Sequence, residues 1–311
     1  MARENQLSRW GAISKILPDV SPLSKVFFVG DTDDTSFVDF VNEFPPDKDG
    51  VVRVYSDMFD TTLLANLRAG KGDVVFVMPG YSQSITSDKA INVNGVKFIG
   101  LGSGNNRPTL QFDATSGSVS LDTDNIHLEN FRLLASVSGI TRGVDVNGAA
   151  CAIKRCSFQF DSNGDDFITT IRVTANGDHS LIEDNEIAME DTTGPETGVL
   201  IVGGADFVKV KKNYITGEFS GAGIESDSTA ASSGLLIKEN SVNNSDTAGL
   251  TIGISHSNTK GLVAYNGLGS GDTQADINAL VKTGATKWLE NYINNDTGEG
   301  GGIVPTTVTS T

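Results

Sequence analysis

Ser180-Leu181-Ile182-Glu183-Asp184-Asn185-Glu186-Ile187 is followed by Val208-Lys209-Val210-Lys211-Lys212-Asn213-Tyr214-Ile215 and by Leu235-Leu236-Ile237-Lys238-Glu239-Asn240-Ser241-Val242. Each is a short apolar strand, a polar step, an Asn and an apolar residue two places on. The phrase returns around Asn266 in Leu262–Leu268 and around Asn291 in Trp288–Ile293. Upstream it fits Ile126–Asn130, and then Ile153–Phe158 and Val96–Gly100 with Cys156 and Gly100 in the Asn place. The marked positions are 100, 130, 156, 185, 213, 240, 266 and 291, spaced by 25 to 30 residues.

Self-similarity at such a period marks a solenoid, whose units bury their apolar faces only by stacking on one another. These units alternate apolar and polar residues over four to six positions, are rich in β-branched residues and end in Gly, Asn, Asp or Ser, as strands do. Apolar residues at i, i+3, i+4 and i+7, which helical repeats need, are missing. A coil of this length holds about three short strands and three turns, so the expected fold is mainly β, a right-handed parallel β-helix. Asn130, Asn185, Asn213, Asn240, Asn266 and Asn291 are expected at a sharp turn, in left-handed backbone, bonding coil to coil as a ladder.

The chain divides into an arm at 1–23, an α/β cap at 24–79 leading into the first coil, the β-helix at 80–295, and a Gly/Thr-rich tail at 296–311. The cap reads strand Lys25–Gly30, helix Ser36–Phe44, strand Val51–Tyr55, helix Met58–Leu67 and strand Asp73–Gly80. An open β-helix end exposes apolar core and unpaired backbone, and the cap is the expected plug. Aromatics make up only 7% of the 311 residues, which suits a thin aliphatic core. A formal charge of −16 opposes binding to nucleic acid or an anionic membrane and serves the solubility of a long surface. No stretch has the roughly 18 apolar residues of a membrane span, and the N-terminus shows no signal-peptide core, so a soluble chain made in the cytoplasm is expected. Cys151 and Cys156 lie five apart on one expected strand segment, which would put them on opposite faces as separate buried thiols.

The Asn pattern resembles the pectate-lyase-type β-helix superfamily, whose members often carry an Asn ladder. Lys25–Gly30, Gly72-Asp73-Val74-Val75-Phe76-Val77-Met78-Pro79-Gly80 and Asn94–Leu110, with its Gly-Leu-Gly and Arg107-Pro108-Thr109, resemble a group of tailed-bacteriophage structural proteins. That resemblance covers roughly residues 1–112. It implies a virion structural protein made in the host cytoplasm, most specifically a capsid decoration (cement) protein that stands on the head as a homotrimer. The arm and cap, around Trp10, Ile13, Ile16 and Leu17, would contact the major capsid protein. The alternative is a tailspike or tail-fibre protein that binds or depolymerises host surface polysaccharide.

An enzyme of that kind needs paired carboxylates, and Asp161-Ser162-Asn163-Gly164-Asp165-Asp166 is the best candidate. The companion Asn-Thr-Asp, Gly-His-Gly and Arg-Ile-Lys motifs of polygalacturonase-like enzymes are missing, and an acidic turn between strands is the commoner explanation of Gly-Asp-Asp. Lyase chemistry would draw on Arg132, Arg142, Arg155 and Arg172 with Asp145, Asp161 and Asp165, which no sequence rule places on one face. His127, His179 and His256 fit no zinc spacing, and Asp31-Thr32-Asp33-Asp34 lacks the Gly and Glu of a calcium loop. Gly100–Gly104 precedes no helix and reads as a turn. The expectation is a non-enzymatic chain with no cofactor and no metal. Tyr214 and Tyr292, each following an Asn, could stack into a glycan-binding column.

Overall fold

The computed structural model describes residues 24–31, 33–34, 37, 53–189, 194–227, 229–245, 254–256 and 259–270, with the backbone of four further strands between 281 and 303. The arm with Trp10, Ile13, Ile16 and Leu17, the expected helix 36–44 apart from Phe37, Asn291, and the tail apart from Gly302–Ile303 lie outside the described residues.

Three sheets run the length of a β-solenoid of about eight turns. Sheet A has eleven strands, from Val54–Tyr55, Val26–Val29, Val74–Val77 and Lys97–Gly100 through His127–Glu129 to Lys287–Leu289. Sheet B has ten, from Ser82–Ile85 to Tyr292–Asn295 plus Gly302–Ile303, and sheet C has eight, from Asp88–Ile91 to Val281–Thr283. Every described pairing is parallel except the last, where Gly302–Ile303 runs antiparallel to Tyr292–Asn295.

Each residue sits over its counterpart one coil away, so the core is built of columns. Phe27, Val75, Phe98, Leu128, Ile153, Ile182, Val210, Ile237 and Val263 form one such column in register along sheet A, all fully buried. Burying an aliphatic or Phe side chain is worth roughly 1.5–3 kcal/mol. One coil owns only a few such residues, so stability comes from stacking.

The expected cap strands are present, but they continue the solenoid: Val26–Val29 lies between Val54–Tyr55 and Val74–Val77, in sheet A itself. The helix Thr61–Asn66 adds Leu63 to the core near this end, with Met58 before it. The helix is shorter than the expected Met58–Leu67 because Asp60 caps it, accepting from the Thr62 and Leu63 N–H groups at 2.7 and 3.0 Å. The chain then turns on fully buried Asp73. Its carboxylate accepts from the N–H groups of Lys25 and Arg68 at 2.6 and 2.9 Å and from the Arg68 guanidinium at 2.6 Å.

Around these first strands sheet A is buried on both faces. Phe28, Val74, Phe76, Met78 and Ile99 form a second apolar cluster on its outer side, with Phe37 packed among them. Among the described residues no helix is long and apolar enough to cross a membrane.

Candidate functional site

Both edges of sheet A are sharp corners, and the repeat's polar residues gather there. At the corner leading into sheet B, Asn185, Asn213, Asn240 and Asn266 stand one above another, all 2% exposed or less. The Oδ1 of Asn213 accepts from the backbone N–H and the side-chain amide of Asn185, both at 3.0 Å. Asn240 does the same for Asn213 at 3.0 and 2.9 Å, and Asn266 for Asn240 at 2.9 and 2.9 Å. Each amide also donates to a carbonyl of the preceding coil, from Asn185 to Ile153 at 3.0 Å through Asn266 to Ile237 at 3.1 Å. Cys156 opens the column, donating its N–H to Asn185 Oδ1 at 2.9 Å.

Two expectations about this corner are corrected. The left-handed residue is the one before the Asn: Arg155, Asp184, Lys212, Glu239 and Tyr265 have φ between 52° and 58°. That residue turns its side chain to solvent, which leaves the Asn pointing inward where its partners are. Asn130 also belongs to this outer column. Glu129 pairs with Lys154, which sets Asn130 against left-handed Arg155 and puts Phe131 in the ladder position. With φ 63° it sends its amide to Gly100 and Gly102 carbonyls at 2.7 and 3.1 Å.

The candidate carboxylates diverge. Asp165 accepts from the N–H and hydroxyl of Ser162 at 3.2 and 2.7 Å and closes its own loop. Asp166, 3% exposed, accepts from the Gly139 N–H in the neighbouring coil and lies against Gly194. Neither faces the other across a cleft as acid and base must.

Of the basic residues, Arg142 and Arg172 do meet Asp145 on sheet C, at 3.0 and 2.7 Å. Arg132 turns to Gln159 at 3.0 Å and Arg155 pairs with Glu129. Asp145 is thus held between two guanidinium groups as an ion pair. The His127 imidazole is pushed down to about 4, by burial first and then by the Lys97 and Lys154 charges, and is neutral at pH 7. Among the described residues, no three His, Cys, Asp or Glu side chains gather as metal ligands.

Cys151 and Cys156 flank the strand Ala152–Lys154 and both enter the main core, contrary to the expected opposite faces, because left-handed Arg155 breaks the strand's alternation. Both are free, and burial pushes them up to about 11 and about 12, so both are unreactive thiols. Tyr214 and Tyr292 share a column of sheet B but are separated in register by Ser241 and Gly267. At about 4.8 Å per coil that is roughly 14 Å, too far to stack. A cavity of about 320 Å³ lies near the N-terminal end, with Asp31, Asp34 and Asn106 around Phe37, Met78 and Tyr81.

The other corner of sheet A holds a second ladder that the Asn pattern hides. Asn125, Ala150, His179 and Phe207 are left-handed there, and their N–H groups donate to carbonyls of the next coil at 2.7–2.8 Å. The Asp before three of them bonds onward too: Asp124 to the Ala149 N–H at 2.9 Å, Asp178 to Asp206 at 2.7 Å and Asp206 to Ser233 at 2.6 Å. An Asp three residues before the sheet A strands His127–Glu129, Leu181–Glu183 and Lys209–Lys211, at 124, 178 and 206, is the sequence signal for it.

No protein-family model matches the sequence, and no curated protein does. Among solved structures, ORF18 of Geobacillus virus E2 is a weak structural neighbour, with 12% identity and a TM-score of 0.25. The match covers 82% of this chain and 60% of that one, so the chain spans less than two thirds of its neighbour. A superposition that loose supports no inference about this chain.

Proposed function

We propose that this chain is a structural protein of a phage virion, specifically a non-enzymatic decoration protein of the head, self-associating as a homotrimer. The observation that carries the reading is the set of phrases resembling tailed-phage structural proteins: Lys25–Gly30, Gly72–Gly80 and Asn94–Leu110. These fold into adjacent strands of sheet A at one end of the solenoid. An arm and first coils bound to the capsid would leave the remaining coils projecting outward. Decoration then works by adding contact area that bridges shell subunits. The candidate carboxylates support the non-enzymatic part, since both are committed to backbone contacts.

Immunogold electron microscopy of virions with an antibody to this chain tests the location. Gold over the heads is expected. Gold at the tail tip would replace decoration by the glycan-binding reading, and an unlabelled virion would end both. A second test deletes residues 1–20: the truncated chain should keep its β-structure by circular dichroism and lose capsid binding.

A further inference from the structure

The outer face of sheet A is a basic island on an acidic molecule. In a chain of net charge −16, its outward positions from Lys97 to Lys238 carry Lys97, Lys154, Lys209, Lys211 and Lys238 against Glu129 and Glu183. Glu183 is shared by Lys211 at 2.7 Å and Lys154 at 3.6 Å. Partial burial pushes its carboxyl up, but the Lys211 hydrogen bond and the Lys211, Lys154 and Lys212 charges outweigh that and hold it low. Lys209 is exposed and has no carboxylate partner among the described residues. Beside it, in the same row, stand half-buried Leu181, Leu236 and Leu262.

Along the edge of this face runs an aromatic stack. The His179 and Phe207 rings lie 4.8 Å apart and 6° from parallel. On the next coil stands Gly234, where a Cβ would come within 2.4 Å of the Phe207 ring. Phe207 is 47% exposed and left-handed, with φ 57°. A bulky residue at such a φ is strained, and the stack fixes its ring in place. His179 covers one face of the ring, and Gly234, which has no side chain, lies beside its Cγ–Cδ1–Cε1 edge.

We propose that this face, anchored by Phe207 and Lys209, is where a second copy of the chain docks. Charge names the occupant: the copy's remaining surface is acidic, including Asp161, Asp165 and Glu218 at the corner between sheets B and C. The basic face cannot meet its own counterpart without opposing lysines, so the contact joins two different patches. Such a heterologous contact closes into a ring when its rotation allows. This rests on the self-association in the proposed function but not on where in the virion the protein sits.

Sedimentation velocity on the full chain tests it, with Phe207→Asn, Lys209→Glu and, as a control on sheet B, Tyr214→Ser. Asn tolerates the left-handed backbone, so the first variant should fold, as circular dichroism will check. The wild type should sediment as an oligomer. Phe207→Asn and Lys209→Glu should each weaken association about tenfold or more, and Tyr214→Ser should leave it unchanged. Raising salt should weaken the wild type and affect Lys209→Glu less. A monomeric wild type overturns the proposal, as does an oligomer that Phe207→Asn and Lys209→Glu leave intact. Immunogold location is independent of both results.

Discussion

Sheet A is one continuous sheet with two kinds of outer face. A single outward column reads Phe28, Phe76, Ile99 and then, in unbroken register, Glu129, Lys154, Glu183, Lys211 and Lys238. The first three are buried in the outer apolar cluster with Phe37, while the others meet solvent and pair in charge. The inward column is apolar throughout. Stacking is therefore set by the inner column, and the outer one follows what lies against it: apolar where the sheet is covered, charged where it is wet.

The largest test of that difference substitutes the same column on either side of the switch. Phe76→Ala should cost about 3–5 kcal/mol, as for a fully buried aromatic. Lys154→Ala should cost no more than about 1 kcal/mol, the range of a surface ion pair. Denaturant midpoints measure both, and equal costs would erase the distinction between the two regions.

A second test moves to the corner and separates the inward Asn from the outward left-handed residue. Asn213→Ala strands the Asn185 N–H and amide, which donate to Asn213 Oδ1, and the Ile182 carbonyl, which Asn213 supplies. With buried unsatisfied groups costing about 1–3 kcal/mol each, a loss near 3 kcal/mol is expected. Asn130→Ala removes two bonds at a partly exposed site and should cost about 1 kcal/mol. Similar losses would return Asn130 to the ladder.

These two regions also differ in how plainly they can be read. Wet coils print the alternation of Leu181-Ile182-Glu183 or Lys209-Val210-Lys211, and their number and register follow from the repeat. Val26-Phe27-Phe28-Val29 and Val74-Val75-Phe76-Val77 are apolar at every position, which signals a strand covered on both sides. That signal was legible, yet it suggested a separate cap, because nothing local to a strand says which sheet it joins. The misplacement of Asn130 has a similar cause. Both corner columns accept Asn, one for its left-handed backbone and one for its amide, and only strand pairing tells them apart. The stack of His179 on Phe207 was hidden because the two rings lie 28 residues apart in a turn.

The pH dependence sharpens where the wet face begins. His127 is flanked in its outward row by Lys97 and Ala152, one rung beyond the apolar cluster. Its folded pKa of about 4 lies below the ordinary 6.5. Above pH 6.5 the imidazole is neutral in both states. Between 6.5 and about 4 only the unfolded chain takes the proton, so stability falls as pH falls through that window. Allowing for solvent screening, the loss should be roughly 1–2 kcal/mol. His127→Gln should remove that part of the slope, and an unchanged slope would mean that solvent reaches the ring freely.

The smallest effect is a gain. Lys212 occupies a left-handed position with φ 58° immediately before the ladder residue Asn213. A non-Gly residue there carries roughly 1 kcal/mol of strain, which Asn tolerates better than Lys. Lys212 is exposed, so its side chain has little packing to lose. Lys212→Asn should therefore stabilise the chain by about 0.5–1 kcal/mol, seen as a thermal midpoint higher by roughly 1–2 °C. The contrast with Asn213→Ala is what gives the small number its value. Adjacent residues at one corner should respond in opposite senses, since Lys212 answers to backbone conformation and Asn213 to the hydrogen bonds it makes along the stack. A destabilised Lys212→Asn would show that the outward residue also bonds along the column, and the two roles would no longer be separable.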